Sequence, residues 1–177
     1  MPMIRNVLAA IGLFSVIIAA SAGVFFFGGY FNVAATAREP GLMRWALIQV
    51  REASVRRYAT EQPTLAMTSP DVIRTGARAY SERGCVSCHG APGAVWNKFS
   101  EGLRPDPPDP TDIVKSRSAE ELYFVIKNGI NMTGMPSFAS SSDQELWSIV
   151  AFLKQLPTVS SDQYKSWTGQ GAAAPKS

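Results

Sequence analysis

The stretch Cys85-Val86-Ser87-Cys88-His89 gathers both cysteines and the only histidine of the 177-residue chain into five positions. On a helical turn the two thiols, three residues apart, share a face, and the imidazole follows one turn on from the first. Several chemistries compete for such a cluster. A tetrahedral zinc site asks for four ligands, usually Cys and His, and an Asp or Glu would have to complete the three offered here. A dithiol redox pair expects a βαβ context, and no stretch of the globular part alternates convincingly with a strand's period of two. A disulfide across two intervening residues closes a tiny loop and stabilises little.

The remaining chemistry uses all three side chains. C-x-x-C-H is the pattern of c-type haem attachment. Cys85 and Cys88 would form thioethers with the two vinyl groups of the porphyrin, and His89 would be delivered to the iron. The covalent tether holds the imidazole at high effective concentration, so the ligand rarely leaves. One haem c is the cofactor this spacing implies.

Iron held in this way wants a second axial ligand or keeps an open site. No other histidine exists, and there are six methionines. Met1, Met3 and Met43 lie at the apolar N-terminal side and Met67 precedes the globular part, which leaves "NGINMTGMPSF". Met135 stands between Gly134 and Pro136, which fix a loop able to present a thioether. Met135 is the expected ligand and Met132 the fallback. Imidazole and thioether ligation raises the potential relative to two imidazoles. With both axial positions filled, substrate finds no open iron site, and one-electron transfer is expected. Two alternatives remain: a haem enzyme or gas sensor with a displaceable Met135, and a chiefly structural membrane subunit.

The elements that must position these residues follow from composition. No charged residue occurs between Asn6 and Ala37. Val7–Phe31 is almost wholly apolar and as a helix would rise roughly 37 Å, against a hydrocarbon core of about 30 Å. Ala20-Ser21-Ala22 resembles a cleavage site, but the apolar run continues beyond it, so the segment reads as a retained anchor. Gly28, Gly29, Tyr30 and Phe31 suit its outer end. Residues 1–31 are thus tail and anchor, 32–68 a connector, 69–160 a compact domain and 161–177 a loose tail.

The net charge of +3 lies in the first part of the chain. Residues 1–68 carry six basic and three acidic residues, whereas 69–177 carry eleven of each. So few basic residues, with no recognition motif around them, exclude a nucleic-acid partner. Leu42–Ala59 places Leu42, Trp45, Ile48, Gln49 and Glu52 at helical spacing. An amphipathic connector helix at the membrane surface or against a partner is expected. Arg38, Arg44, Arg51, Arg56 and Arg57 follow the anchor and give either a solvated face or a contact with anionic lipid or an acidic subunit.

In the domain, Ser69-Pro70-Asp71 starts a helix running to about Glu82. Ser118-Ala119-Glu120-Glu121 and Ser142-Asp143-Gln144-Glu145 read as capping boxes, opening helices to about Asn128 and Leu156. Leu146, Ile149, Val150 and Leu153 form the buried stripe of the last. The domain is read as all-α, with long Pro-rich loops between helices.

Cys85-Val86-Ser87-Cys88-His89, Gly134-Met135-Pro136 and a closing helix with a tryptophan together resemble a class I c-type cytochrome over residues 69–157. The chain is similar to the small single-haem domains of membrane-anchored cytochrome subunits of bacterial respiratory oxidases and dehydrogenases. The resemblance implies a close crossing of first and last helices, matched by Gly76 and Tyr80 on one and Phe152 on the other. It implies a proline carbonyl bonded to the ligating imidazole, for which Pro92 and the run Pro105–Pro110 are candidates. Trp96 or Arg104 would reach a propionate. Val95, Phe99, Leu103, Leu122, Ile126, Ile130 and Phe138 would line the pocket. Expected partners are a donor dehydrogenase or quinol-oxidising complex, an acceptor oxidase or cytochrome, and membrane lipid. The resemblance also places the haem domain in the periplasm on a single-pass anchor. Arg5 is the one basic residue on the proposed inner side, while Arg38 and Arg44 lie just outside. That distribution opposes the positive-inside bias, but the site of haem attachment is given more weight.

Overall fold

A computed structural model describes residues 2–37 and 39–169. Among them there is no strand, only a bridge between Ala91 and Ala94. The chain divides into two units, Met1–Arg38 and Glu39–Ser177.

The first unit is the helix α1, Pro2–Phe27, followed by a turn at Gly28 and Gly29. It buries none of its side chains within the unit, and it is long and apolar enough to cross a membrane. It begins and ends a few residues earlier than the apolar run suggests.

The second unit is built on α3 (Pro70–Glu82) and α7 (Asp143–Gln155), which cross closely. A Cβ placed on Gly76 would fall 1.8 Å from the Ser148 carbonyl oxygen, so only glycine lets the two backbones meet there. Tyr80 then packs on Phe152 with ring centroids 5.4 Å apart. The crossing expected from Gly76, Tyr80 and Phe152 is therefore present. Helix α6 (Ala119–Asn128) lies on the other side of α7, where Tyr123 stacks on Trp147 at 4.1 Å. Both rings are almost fully buried. Truncating a ring of this kind to alanine typically costs about 3–5 kcal/mol.

The helix ends show where local chemistry succeeds. Ser118 and Glu121 form the complete, reciprocal capping box at α6. At α7 only half forms. Ser142 accepts from the Glu145 amide, but the Glu145 carboxylate turns away to Arg83, with contacts of 2.6 and 2.8 Å. Ser69 sits at the N-cap of α3 without a side-chain bond, and Pro70 sets the first turn.

Three elements differ from the sequence reading. The Pro-rich loop contains a short helix, α5 (Pro110–Ser116), because the Asp109 carboxylate accepts from the Thr111 amide and Pro110 is preset for a first turn. The expected loose tail starts as a helix, α8 (Ser161–Thr168), capped by Ser160 and ended by left-handed Gly169. Tyr164 of α8 is buried and stacks on Phe152 at 5.7 Å, and Arg78 donates to the Trp167 carbonyl at 2.8 Å. Residues 170–177 of that tail lie outside the described residues.

The third difference concerns the connector. Helix α2 (Gly41–Tyr58) packs against α6, with Val55 buried, Tyr58 stacked on Phe124, and Arg117 forked onto Glu52 at 2.7 and 2.8 Å. The inward face is Ile48, Glu52 and Val55. Leu42 and Trp45, which share the sequence stripe with Ile48 and Glu52, stay exposed. The reason is length: α2 meets α6 mainly through its second half.

Candidate functional site

Helix α3 delivers the cysteine-histidine segment through a Schellman ending. The Cys85 amide donates to the Tyr80 carbonyl at 3.2 Å and the Gly84 amide to Ser81 at 3.1 Å. Gly84 takes the left-handed φ of 76° that this motif needs. The chain then folds at once into α4 (Val86–His89), in which the His89 amide donates to the Cys85 carbonyl at 2.9 Å. Cys85, Cys88 and His89 thus occupy one helical turn, each half-buried, and the two sulfurs are not joined to each other. Burial, the dominant cause, pushes the Cys85 thiol up to about 11.

Two bonds to the rest of the domain fix this turn. Tyr80 donates its buried hydroxyl to the Gly90 carbonyl at 2.8 Å, immediately after His89. Desolvation of that hydroxyl raises its pKa strongly. On the other side, the Nδ1–H of His89 donates to the Pro108 carbonyl at 2.9 Å. A carbonyl only accepts, so this bond sets the tautomer and leaves the Nε2 lone pair unprotonated and free to act as a ligand. The supporting proline is thus Pro108, within the Pro105–Pro110 run. Pro92 does not fill that role and lies half-buried in the loop after Gly90.

A cleft of roughly 310 Å³ opens beside Cys88 and His89, lined also by Trp96, Ser100, Arg104 and Pro108. Trp96 lies over Gly90, held by the Asn97 amide donating to the Ser87 carbonyl at 2.9 Å. Arg104 reaches the cleft but is already engaged by Asp106 and by the carbonyls of Glu101 and Leu103. Asp109, at the edge, is held below the usual carboxylate range by bonds from the Thr111 hydroxyl and amide.

The methionine loop follows α6. Gly129 turns the chain at φ 69°, and a Cβ there would meet the Pro136 carbonyl carbon at 2.7 Å. Thr133 Oγ1 donates to the Ile130 carbonyl at 2.7 Å and accepts from the Met135 amide at 3.1 Å. The Ile130 amide donates to the Met135 carbonyl at 3.2 Å. Gly134 lies against Leu103, so this loop and the Pro-rich loop meet. Met135 is half-buried, whereas Met132 sits at the apex with φ 58° and is 89% exposed.

The remaining expected pocket residues scatter. Leu122 and Ile126 belong to the core, and Phe138 packs against it. Ile130 is half-buried at the base of the methionine loop, and Val95 on the loop after α4 and Phe99 in the 3-10 turn Lys98–Gly102 both stand exposed. The sequence reading missed the Tyr80 hydroxyl as a brace for Gly90. It also missed Ser161 of α8, which closes on Gly93 so tightly that a Cβ there would lie 2.7 Å from the serine Cβ. Tyr164 and Trp167, spaced three apart after the Ser160 cap, were the available signal for that helix.

An all-helical domain with a haem-attachment motif on the turn after its first helix defines a class, and residues 71–153 are a c-type cytochrome domain. They match the model of a particular family, described as cytochrome c oxidase, cbb3-type, subunit III. The match covers just under half of the chain and leaves α1, α2 and α8 outside it. No curated protein and no solved structure matches the chain. A domain of this class carries covalently bound haem c and works by haem-based electron transfer rather than catalysis.

Proposed function

We propose that the chain carries electrons one at a time through a single haem c, bound by thioethers from Cys85 and Cys88 and ligated by His89 and Met135. We place it at the outer face of the cytoplasmic membrane, anchored by α1, as a subunit of or dedicated partner to a respiratory or dehydrogenase complex. The observation that carries the reading is the 2.9 Å bond from His89 Nδ1–H to the Pro108 carbonyl. It orients an imidazole beside two unpaired cysteines and keeps Nε2 free for iron, as the other ring nitrogen of a metal-binding histidine usually donates to a carbonyl or carboxylate. When bound, the haem supplies a reversible ferric–ferrous couple.

The protein's own residues do the rest. The Schellman turn and the Tyr80 hydroxyl fix His89. Thr133 and Gly129 shape the loop that offers the Met135 thioether. The geometry supports Met135 over Met132, because a half-buried side chain in a bonded loop is a better candidate than one exposed at its apex. Trp96 and Arg104 remain the candidates for propionate contacts. Ile130 and Phe138 remain candidates for the pocket wall. The apolar length of α1 supports anchoring, and the oxidase subunit in the family's description supports a respiratory setting.

The fragment spanning Cys85 to Cys88 is expected to weigh more by one haem after digestion. The oxidised protein is expected to show the near-infrared band of thioether-to-iron ligation, lost in Met135→Ala and kept in Met132→Ala. A bare fragment, or a band that follows Met132, would sink the assignment.

A further inference from the structure

Helix α2 has apolar residues on two opposite faces. One face, Ile48 and Val55 with Glu52, is used by the cytochrome domain. The other holds Leu42, Met43, Ala46, Leu47, Val50 and Ala53, which at 100° per residue occupy an arc of about 140° directly opposite. Leu42 is 77% exposed and Val50 67%. A helix apolar on both sides is built to lie between two apolar phases, and here one of them is the domain itself.

The charges say what the second phase is. Arg44 and Arg51 flank the outward arc on one side, Arg56 and Trp45 on the other, and Arg57 closes its C-terminal end. No ion pair among the described residues includes Arg44, Arg56 or Arg57. The single acidic residue of α2, Glu52, lies on the inward face and is held by Arg117 and Arg51. An apolar arc edged by arginines and tryptophan, without exposed carboxylates, is complementary to a bilayer interface carrying anionic headgroups. Sequence continuity points the same way. Between Phe27, the end of an apolar helix long enough to span a bilayer, and Gly41 lie only residues 28–40, a tether of at most about 45 Å.

We infer that α2 docks by its Leu42–Met43–Ala46–Leu47–Val50–Ala53 face on the interface of a phospholipid membrane, with Arg44, Arg56 and Arg57 engaging anionic headgroups. The domain side of the same helix stays on α6, so α2 fixes how the cytochrome domain faces the bilayer. This goes beyond electron transfer and does not depend on the iron ligands.

The test uses the full chain in its native membranes, with a benzophenone-bearing phenylalanine in place of Val50. Irradiation is expected to give phospholipid adducts, while the same group in place of Gln163, exposed on α8, gives none above background. Adducts to another polypeptide or to a second copy at position 50, or no adduct at all, would overturn the proposal. Replacing Arg44, Arg56 and Arg57 together by glutamine is expected to lower the yield of anionic-lipid adducts several-fold. An unchanged yield would overturn the headgroup assignment. The readout is a lipid mass, so its failure and a failure of the haem reading are separate events.

Discussion

The segment Gly84–Gly90 is tied to the buried interior, whereas residues 130–136 are tied largely to themselves. On the histidine side, Tyr80 donates from the α3–α7 core to the Gly90 carbonyl, and Pro108 accepts from the His89 ring. On the methionine side, Thr133 bonds Ile130 and Met135 within the loop, and only beyond it do the Ser137 hydroxyl and the Phe138 amide return to α6, at the Lys127 and Ile126 carbonyls. The contrast teaches that the two halves of one site have different local stabilities. A segment bonded to the core opens only when the core opens, while a loop bonded to itself opens alone. Amide exchange is therefore expected to be slow over 85–90 and fast over 130–136, a difference the following changes break or sharpen.

The largest effect is expected from Gly76→Ala. The new methyl would overlap the Ser148 carbonyl, force α3 from α7 and cost about 3 kcal/mol or more. Denaturant unfolding would register it, and exchange over 85–90 should rise toward that of the methionine loop. A stability equal to that of the parent would mean the crossing does not back the histidine turn.

Next comes Tyr80→Phe. It keeps the ring stacked on Phe152 but leaves the Gly90 carbonyl buried without its donor, a loss of about 1–3 kcal/mol. The change should speed exchange at 88–90 and leave 130–136 untouched. Equal acceleration on both sides would erase the distinction.

Thr133→Val probes the other half. It removes two bonds inside the methionine loop at a cost of about 1 kcal/mol, mostly local. Global unfolding should shift little, while exchange over 130–136 and displacement of the proposed Met135 ligand by added imidazole should both quicken. An unaltered displacement rate would show that the loop is held from outside itself.

The smallest expected effect is electrostatic. Arg83, which caps α3 just before Gly84, holds the Glu145 carboxylate below its ordinary value of 4.5. The folded state thus favours the ionised form. The contribution is present above the unfolded value and disappears as pH falls through the lowered folded one. Stability measured from pH 6 downward should decline less in Glu145→Gln than in the parent, with the difference confined to below about pH 5. Salt should shrink it, because Arg83 is substantially exposed. Identical acid profiles would remove the pair from the account of the histidine side.

Legibility in the sequence divided along the same lines as stability. Cys85, Cys88 and His89 were readable because the geometry they need is supplied within one helical turn. The Ser118–Glu121 box was equally local. Gly134-Met135-Pro136 was readable as a loop, with Met135 half-buried in it and Met132 exposed beside it. The brace on His89 was not assignable among the prolines, because its choice depends on a contact 19 residues away. The Ser142 box formed only in part, since Glu145 found a guanidinium 62 residues earlier.

Helix α2 shows the limit most clearly. Its existence and its arginines were plain, but its packing against the domain through Val55 was not. Two apolar stripes on one helix leave the pattern ambiguous until a partner is known, and Glu52 meets Arg117 across 65 residues. Helix α8 was not legible because one buried aromatic, Tyr164, and one half-buried, Trp167, are too few to make a periodic signal.

The order of residues thus determined the attachment motif, the candidate sixth ligand, the all-helical class and the apolar N-terminal helix, since each rests on spacing within a turn or on composition. The tertiary structure alone decided that Pro108 receives the imidazole proton and that α8 closes on Tyr80's helix through Arg78 and Trp167, 89 residues apart. It also decided which face of α2 the domain consumes. These depend on packing between distant segments, where the free energy lies in surfaces that no local pattern describes.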